Sequence, residues 1–176
     1  MLETALRVGE VCGLTWDDVD LEHGFVNITH QLQYNNVGKD ACQYQILTPK
    51  SKSGVRNVPL SNAARDALME QMKNQIEMDK KTEIEIDGYK DFVFSNRQNK
   101  PFITQTIGRI LNRIVDDYNS DIKKFGGTIK PLPHIHPHLL RHTSCSRMAE
   151  AGVVPRTLQD IMGLSLIHIS EPTRPY

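Results

Sequence analysis

The chain has 176 residues, 39% of them apolar and 24% charged, and its 21 basic side chains balance its 21 acidic ones. That size suits one globular domain and is short for two, and no run approaches the roughly 20 apolar residues that a membrane helix needs. The opening MLETALRVGE lacks the basic and apolar regions of a secretory leader. Cys12, Cys42 and Cys145 are an odd, scattered set without a CxxC pair, which favours reduced thiols in a cytoplasm over a disulfide framework. Composition alone therefore leads to the expectation of a soluble intracellular domain.

The balanced charge conceals segregation. Residues 77–91 carry six acids against three lysines, whereas residues 97–147 carry nine bases against three acids, before any of their four histidines is counted. A smaller basic cluster, Lys50, Lys52 and Arg56, lies in TPKSKSGVRNVPL. Such patches are either ordinary solvated faces or parts of a phosphate-facing surface on a neutral protein.

In chain order, residues up to about Cys12 read as the tail of a helix that opens before Met1. Arg7 and Glu10 occupy neighbouring helical positions, and Gly13 is a stop. Residues 25–34 alternate as a strand, with Val26, Ile28, Leu32 and Tyr34 on one face and Asn27, Thr29, Gln31 and Gln33 on the other. After the turn Asn35-Asn36-Val37-Gly38, Cys42, Tyr44 and Ile46 alternate with Gln43 and Gln45, and residues 55–60 follow the Ser53-Gly54 turn. The expectation is a small three-stranded antiparallel meander with lysines at the tip of its second hairpin.

Helices dominate the rest. Ser61 caps a segment striped by Ala64, Leu68, Met72 and Ile76, and Phe92-Val93-Phe94 is a short buried run. Thr104 or Thr106 caps a helix whose Ile107, Ile110, Leu111, Ile114, Val115 and Tyr118 share one face. Gly126-Gly127 and three prolines lead to a helix over residues 137–151 stopped by Gly152. Pro155 then opens a last short helix with Leu158, Ile161 and Met162 inward and Gly163 at its end. The fold class is mixed α+β, mainly helical. Residues 1–163 form the domain. Residues 164–176 (LSLIHISEPTRPY) show neither stripe nor cap and resemble translated read-through of a sequencing adapter, so they are expected to be foreign to the natural protein.

The strongest local motif is HLLRH. On a helix, His138 lies three residues from Arg141 and four from His142, so the three heads can point one way. An imidazole beside a guanidinium joins a group that moves protons near neutral pH to a forked phosphate donor. The same pattern also fits a helix face with one ion pair and a buried histidine. His134, His136 and His138 spell HIHPH, but alternate residues converge only on a strand, and Pro137 restarts a helix there, so no metal site is expected. Phosphate-loop, HExxH and GxSxG patterns are absent from the sequence.

HLLRH does not stand alone. ALRVGEVCGLTWDDVDL, TPKSKSGVRNVPL, HPHLLRHTSCSRMAEAG and VVPRTLQDIMG occur in order, and together they resemble the catalytic domain of a tyrosine recombinase of the phage and conjugative-transposon integrase type. The resemblance implies an integrase-like fold and DNA strand cleavage and rejoining through a phosphotyrosyl link, as in integration or excision of a mobile element. It also implies a double-stranded DNA partner, homo-oligomers on DNA for the full-length protein, no metal or nucleotide cofactor, and no membrane. It matches Arg7 to the first catalytic arginine and Glu10 to the acid that helps hold it. Lys52 matches the lysine that protonates the leaving 5′-oxygen, with Lys50 as competitor, His138 the histidine of the HxxR motif, and Arg141 the second catalytic arginine. Taken singly, Arg7 also fits a simple ion pair with Glu10, and Lys52 a solubilising turn residue.

Two departures stand out. Leu164 follows Gly163 where the family has a histidine or tryptophan, and Tyr176 falls beyond the nine or ten residues after that point at which the nucleophilic tyrosine is expected. Pro172 and Pro175 would also break the helix that should carry it. The nucleophile is therefore left unassigned, upstream sequence is expected to be missing, and this polypeptide is expected not to cleave DNA. A non-catalytic DNA-binding protein, a type IB topoisomerase-like enzyme and a metal-dependent hydrolase built on HIHPH remain as rival readings.

Overall fold

A computed structural model describes residues 1–36, 41–49, 52–78, 84–125 and 129–164. The elements are α1 (Val8–Gly13), β1 (Val19–Asp20), β2 (Phe25–Ile28), β3 (Gln31–Asn36), β4 (Cys42–Leu47), β5 (Arg56–Pro59), α2 (Asn62–Glu77), α3 (Thr104–Phe125), α4 (Pro137–Glu150) and α5 (Pro155–Met162). The mixed, mainly helical class stands as expected.

The meander does not. Residues 25–34 break at Thr29-His30, and the strands sort into two antiparallel sheets, β1-β2-β5 and β3-β4. In the first, Ile28 pairs with Arg56 and Val26 with Val58; in the second, Gln33 pairs with Gln45. The break has a cause in His30. Its ring is buried, its Nε2 lies 2.7 Å from the carbonyl oxygen of Gly13, and it packs on Tyr89. An inward imidazole that bonds the end of α1 takes the chain off a straight strand. Lys52 therefore sits not on a hairpin but in a single 3-10 turn, Lys52–Gly54, between strands of different sheets.

The start also differs from expectation. Residues 1–7 are not helical: Ala5 has φ +50°, and Arg7 is extended and caps α1. The Arg7 N–H donates to Glu10 Oε2 at 2.8 Å, so the acid three residues on satisfies a helix-end donor. Glu10 thus sits at the third helical position, below the cap.

Apolar residues form two cores on either side of α1. One gathers Leu6, Leu14, Val26, Val58, Leu68 and Met162; the other gathers Cys12, Leu32, Ile86 and Phe92. α1 approaches β3 so closely that a Cβ on Gly13 would lie 2.8 Å from the Leu32 nitrogen, which makes glycine a packing requirement there. Ser61 caps α2 as expected, its hydroxyl accepting from the Ala64 N–H at 3.2 Å. Two stripes are less buried than their periodicity implies. On α2, Ile76 is exposed, and Gln71 and Gln75 instead bond the Val93 carbonyl. On α3, Val115 is buried but Ile110, Ile114 and Tyr118 are exposed. α4 and α5 end close to expectation, and both of their stop glycines take positive φ. The Gly126-Gly127 link and the Val37-Gly38 turn lie outside the described residues.

Candidate active site

The site is assembled around α4. Pro137 occupies its first turn, where a missing N–H costs nothing, and His136 caps it, Nδ1 accepting from the Leu139 N–H at 3.3 Å. From this start His138 and Arg141 project on one side. His138 is exposed and its ring meets His142 edge-on at 4.4 Å, while Arg141 is 3% exposed.

Backbone carbonyls orient the buried guanidinium. Arg141 donates through one terminal nitrogen to the Ala5 carbonyl and through the other to the Met162 carbonyl at 2.5 Å. The left-handed turn at Ala5 and the end of α5 are thereby tied to α4. Burial, reinforced by the nearby positive charge of Arg7, pushes Arg141 down to about 10, so it remains a cation at neutral pH.

Glu10 is the counter-charge. It is 4% exposed, yet it is held below the ordinary carboxylate range: burial alone would raise it, but hydrogen bonds and charge from Arg56, joined by Arg7, outweigh that. Arg56 donates to Oε1 at 3.0 Å and to Oε2 at 2.9 Å, and Arg7 donates to Oε1 at 2.8 Å. Arg56 also bonds the carbonyls of Ile161 (2.6 Å) and Gly54 (3.0 Å), and Arg7 that of Gly163 (3.3 Å). Arg7 keeps 38% of its side chain accessible, against 6% for Arg56. Arg7 is therefore the guanidinium best placed to meet a ligand.

Arg7, His138 and Arg141 line one cleft of about 320 Å³, together with Gln31, Gln33 and Thr104. An adjoining cleft of about 280 Å³ is lined by Arg7, Glu10, Gln31, Gly54 and Gly163. Residues more than 130 positions apart thus share one wall. Three guanidinium groups against one carboxylate leave local positive charge on a neutral chain, suited to forked hydrogen bonds with a tetrahedral anion. The turn bearing Lys52 borders the second cleft through Gly54. The Lys52 side chain, all of Lys50, and Pro172, Pro175 and Tyr176 lie outside the described residues. In HIHPH, His134 and His136 precede α4 while His138 lies on it, with successive ring centroids 6.3 and 6.5 Å apart.

Sequence reading missed the part played by Arg56 and by the Gly163 carbonyl. A signal for Arg56 was present: two residues from Val58 in VRNV, it shares the inward face of a strand, where a cation needs a buried partner. For the carbonyl there was none, because main-chain acceptors carry no residue code.

Comparisons with known proteins bear on the family and the fold. Residues 1–170 match the description "Phage integrase family". The chain is 43% identical over 164 residues to the transposase from transposon Tn916 of Enterococcus faecalis, an alignment covering 93% of this chain and 37% of that protein. It is 29% identical over 163 residues to tyrosine recombinase XerC of Bacillus pumilus, covering 92% and 42%. Among solved structures it matches the Tn1549 transposon integrase in complex with transposon right end DNA with a TM-score of 0.80 at 36% identity, over 93% of this chain and 48% of that one. The chain thus spans less than half the length of each of these relatives. With a family match across nearly all of its residues and an integrase catalytic fold, the chain belongs to the phage integrase family of tyrosine recombinases.

Proposed function

We propose that this chain is the phosphate-gripping part of a site-specific recombinase that breaks and rejoins double-stranded DNA in the cytoplasm, working as an oligomer on its DNA. The observation that carries the reading is the cleft shared by Arg7, His138 and Arg141 with Glu10 behind it. A phosphodiester resists attack because its oxygens already bear negative charge, and that charge grows in the transition state. Arg7 and Arg141 hold the non-bridging oxygens and stabilise the growing charge without a metal. Glu10 and Arg56 keep Arg7 in place. His138 sits beside the phosphate to bond an oxygen or move a proton, and Lys52 protonates the 5′-oxygen as it leaves, a transfer of the kind that contributes about 10²–10⁴-fold. The attacking tyrosine oxygen would remain bonded to the 3′-phosphate, conserving the energy needed to rejoin the strand. No residue of this chain is assigned that role, because Tyr176 is out of register and follows two prolines. Unpaired thiols at Cys12, Cys42 and Cys145 favour a reducing compartment.

The test is binding of a labelled duplex across a salt series. Arg7→Ala should weaken binding of every duplex sequence and lower the salt slope by about 1. Binding identical to wild type would overturn the reading. Incubation with a nicked duplex should yield no covalent adduct; an adduct lost in Tyr176→Phe would make Tyr176 the nucleophile.

A further inference from the structure

We propose that the outward face of the β3-β4 ribbon reads the edges of A·T pairs in the major groove beside the phosphate held by Arg7; this rests on the DNA reading above. The register decides what that face contains. Gln33 pairs with Gln45 and Asn35 with Gln43, while Leu32, Tyr34, Tyr44 and Ile46 occupy the opposite side. Leu32, Tyr44 and Ile46 pack into the core around Phe92. Along the outward side run Gln31, Gln33 and Asn35 on one strand and Gln43, Gln45 and, opposite Gln31, Leu47 on the other: five uncharged amides and one leucine, without a charged side chain among them.

Such a surface is unusual for a ribbon of only two strands. Exposed edges ordinarily carry lysine or other charges that oppose further strand pairing, and a surface built to hold phosphates carries arginine and lysine. Amides serve neither purpose well. A carboxamide does present a donor and an acceptor side by side, which matches the N6 donor and N7 acceptor of adenine. The face is also continuous with the anion cleft, since Gln31 and Gln33 line it with Arg7, His138 and Arg141. Asn35 donates to Gln33 Oε1 at 2.8 Å, fixing neighbouring amides relative to one another.

The dimensions agree. Same-face residues on a strand repeat at about 7 Å, close to two base-pair steps. A two-stranded ribbon fits a major groove about 12 Å wide. Phosphate contacts at Arg7 then set the register, and the ribbon supplies the sequence information that those contacts lack.

The experiment selects duplexes from a randomised pool with the 176-residue protein. It then compares the Kd of the selected duplex with that of a scrambled duplex of equal composition. Wild type should select adenine-containing positions. Gln43→Ala/Gln45→Ala, away from the cleft, and separately Asn35→Ala/Gln43→Ala at more exposed positions, should each cut the discrimination ratio about 5-fold or more, with scrambled-duplex affinity and salt slope unchanged. Replacing adenine by 7-deazaadenine in the selected duplex should cut the wild-type ratio similarly. Undiminished discrimination in both double variants, tolerance of 7-deazaadenine, or no selected sequence with wild type would each overturn the proposal. Loss of all duplex binding in wild type would instead overturn the phosphate reading.

Discussion

Replacing Glu10 by glutamine tests the electrostatic arrangement behind the cleft. The carboxylate accepts from the Arg7 N–H, from the Arg7 guanidinium and twice from Arg56. An amide of the same shape offers one acceptor oxygen and turns an NH2 group toward donors. The Arg56 side chain is 6% exposed and would be left as a buried cation without its counter-charge. Removing one member of a buried ion pair costs about 3–5 kcal/mol, whereas the more accessible Arg7 adds less than about 1 kcal/mol. Against a domain stability of about 5–15 kcal/mol, and with a urea slope of about 2 kcal/mol/M, the unfolding midpoint should fall by about 2 M at pH 7. The effect should also depend on pH. Glu10 is held below its ordinary value of 4.5, so its stabilisation is complete above that pH and fades as pH falls through the lower folded value. Urea unfolding followed by circular dichroism should therefore show the gap between wild type and Glu10→Gln closing below pH 4.5. A gap under 1 kcal/mol at pH 7, or one that stays constant down to pH 3, would refute the reasoning.

Three further outcomes follow from other parts of the molecule. Gly163 has φ +60°, and a Cβ there would lie 2.9 Å from the Ser53 oxygen and 3.0 Å from an Arg56 nitrogen; Gly163→Ala should cost about 1–3 kcal/mol in the same unfolding assay. Cys12 is fully buried and its thiol is pushed up to about 12 by burial, whereas Cys42 is exposed. A thiol reagent at pH 8 should label Cys42 rapidly and Cys12 only after unfolding, as peptide mass mapping would reveal. The Ser144 hydroxyl is buried without a hydrogen-bond partner among the described residues, so Ser144→Ala should leave stability unchanged or raise it by up to about 1 kcal/mol; a loss above that would show that the hydroxyl is satisfied.

Much of this chain could be read locally. Ser61, Pro137, Gly152, Pro155 and Gly163 mark helix ends because capping and left-handed stops depend on residues within one turn. HLLRH placed His138 and Arg141 on one side of α4 by helical spacing alone. What local pattern could not foresee was where strands would pair and what each buried charge would find. Residues 25–34 alternate as one strand, yet His30 reaches the end of α1 and divides them between two sheets. The first residues read by their spacing as the tail of a helix, but spacing does not reveal that Ala5 turns its carbonyl toward an arginine 136 residues away. Arg56 carried a cation on an inward strand face, but only folding brought it against Glu10 and the end of α5. Propensity and capping act over a few residues and are written in the chain. A buried charge must be neutralised by whatever the fold places within about 3 Å, and only the tertiary structure selects that partner.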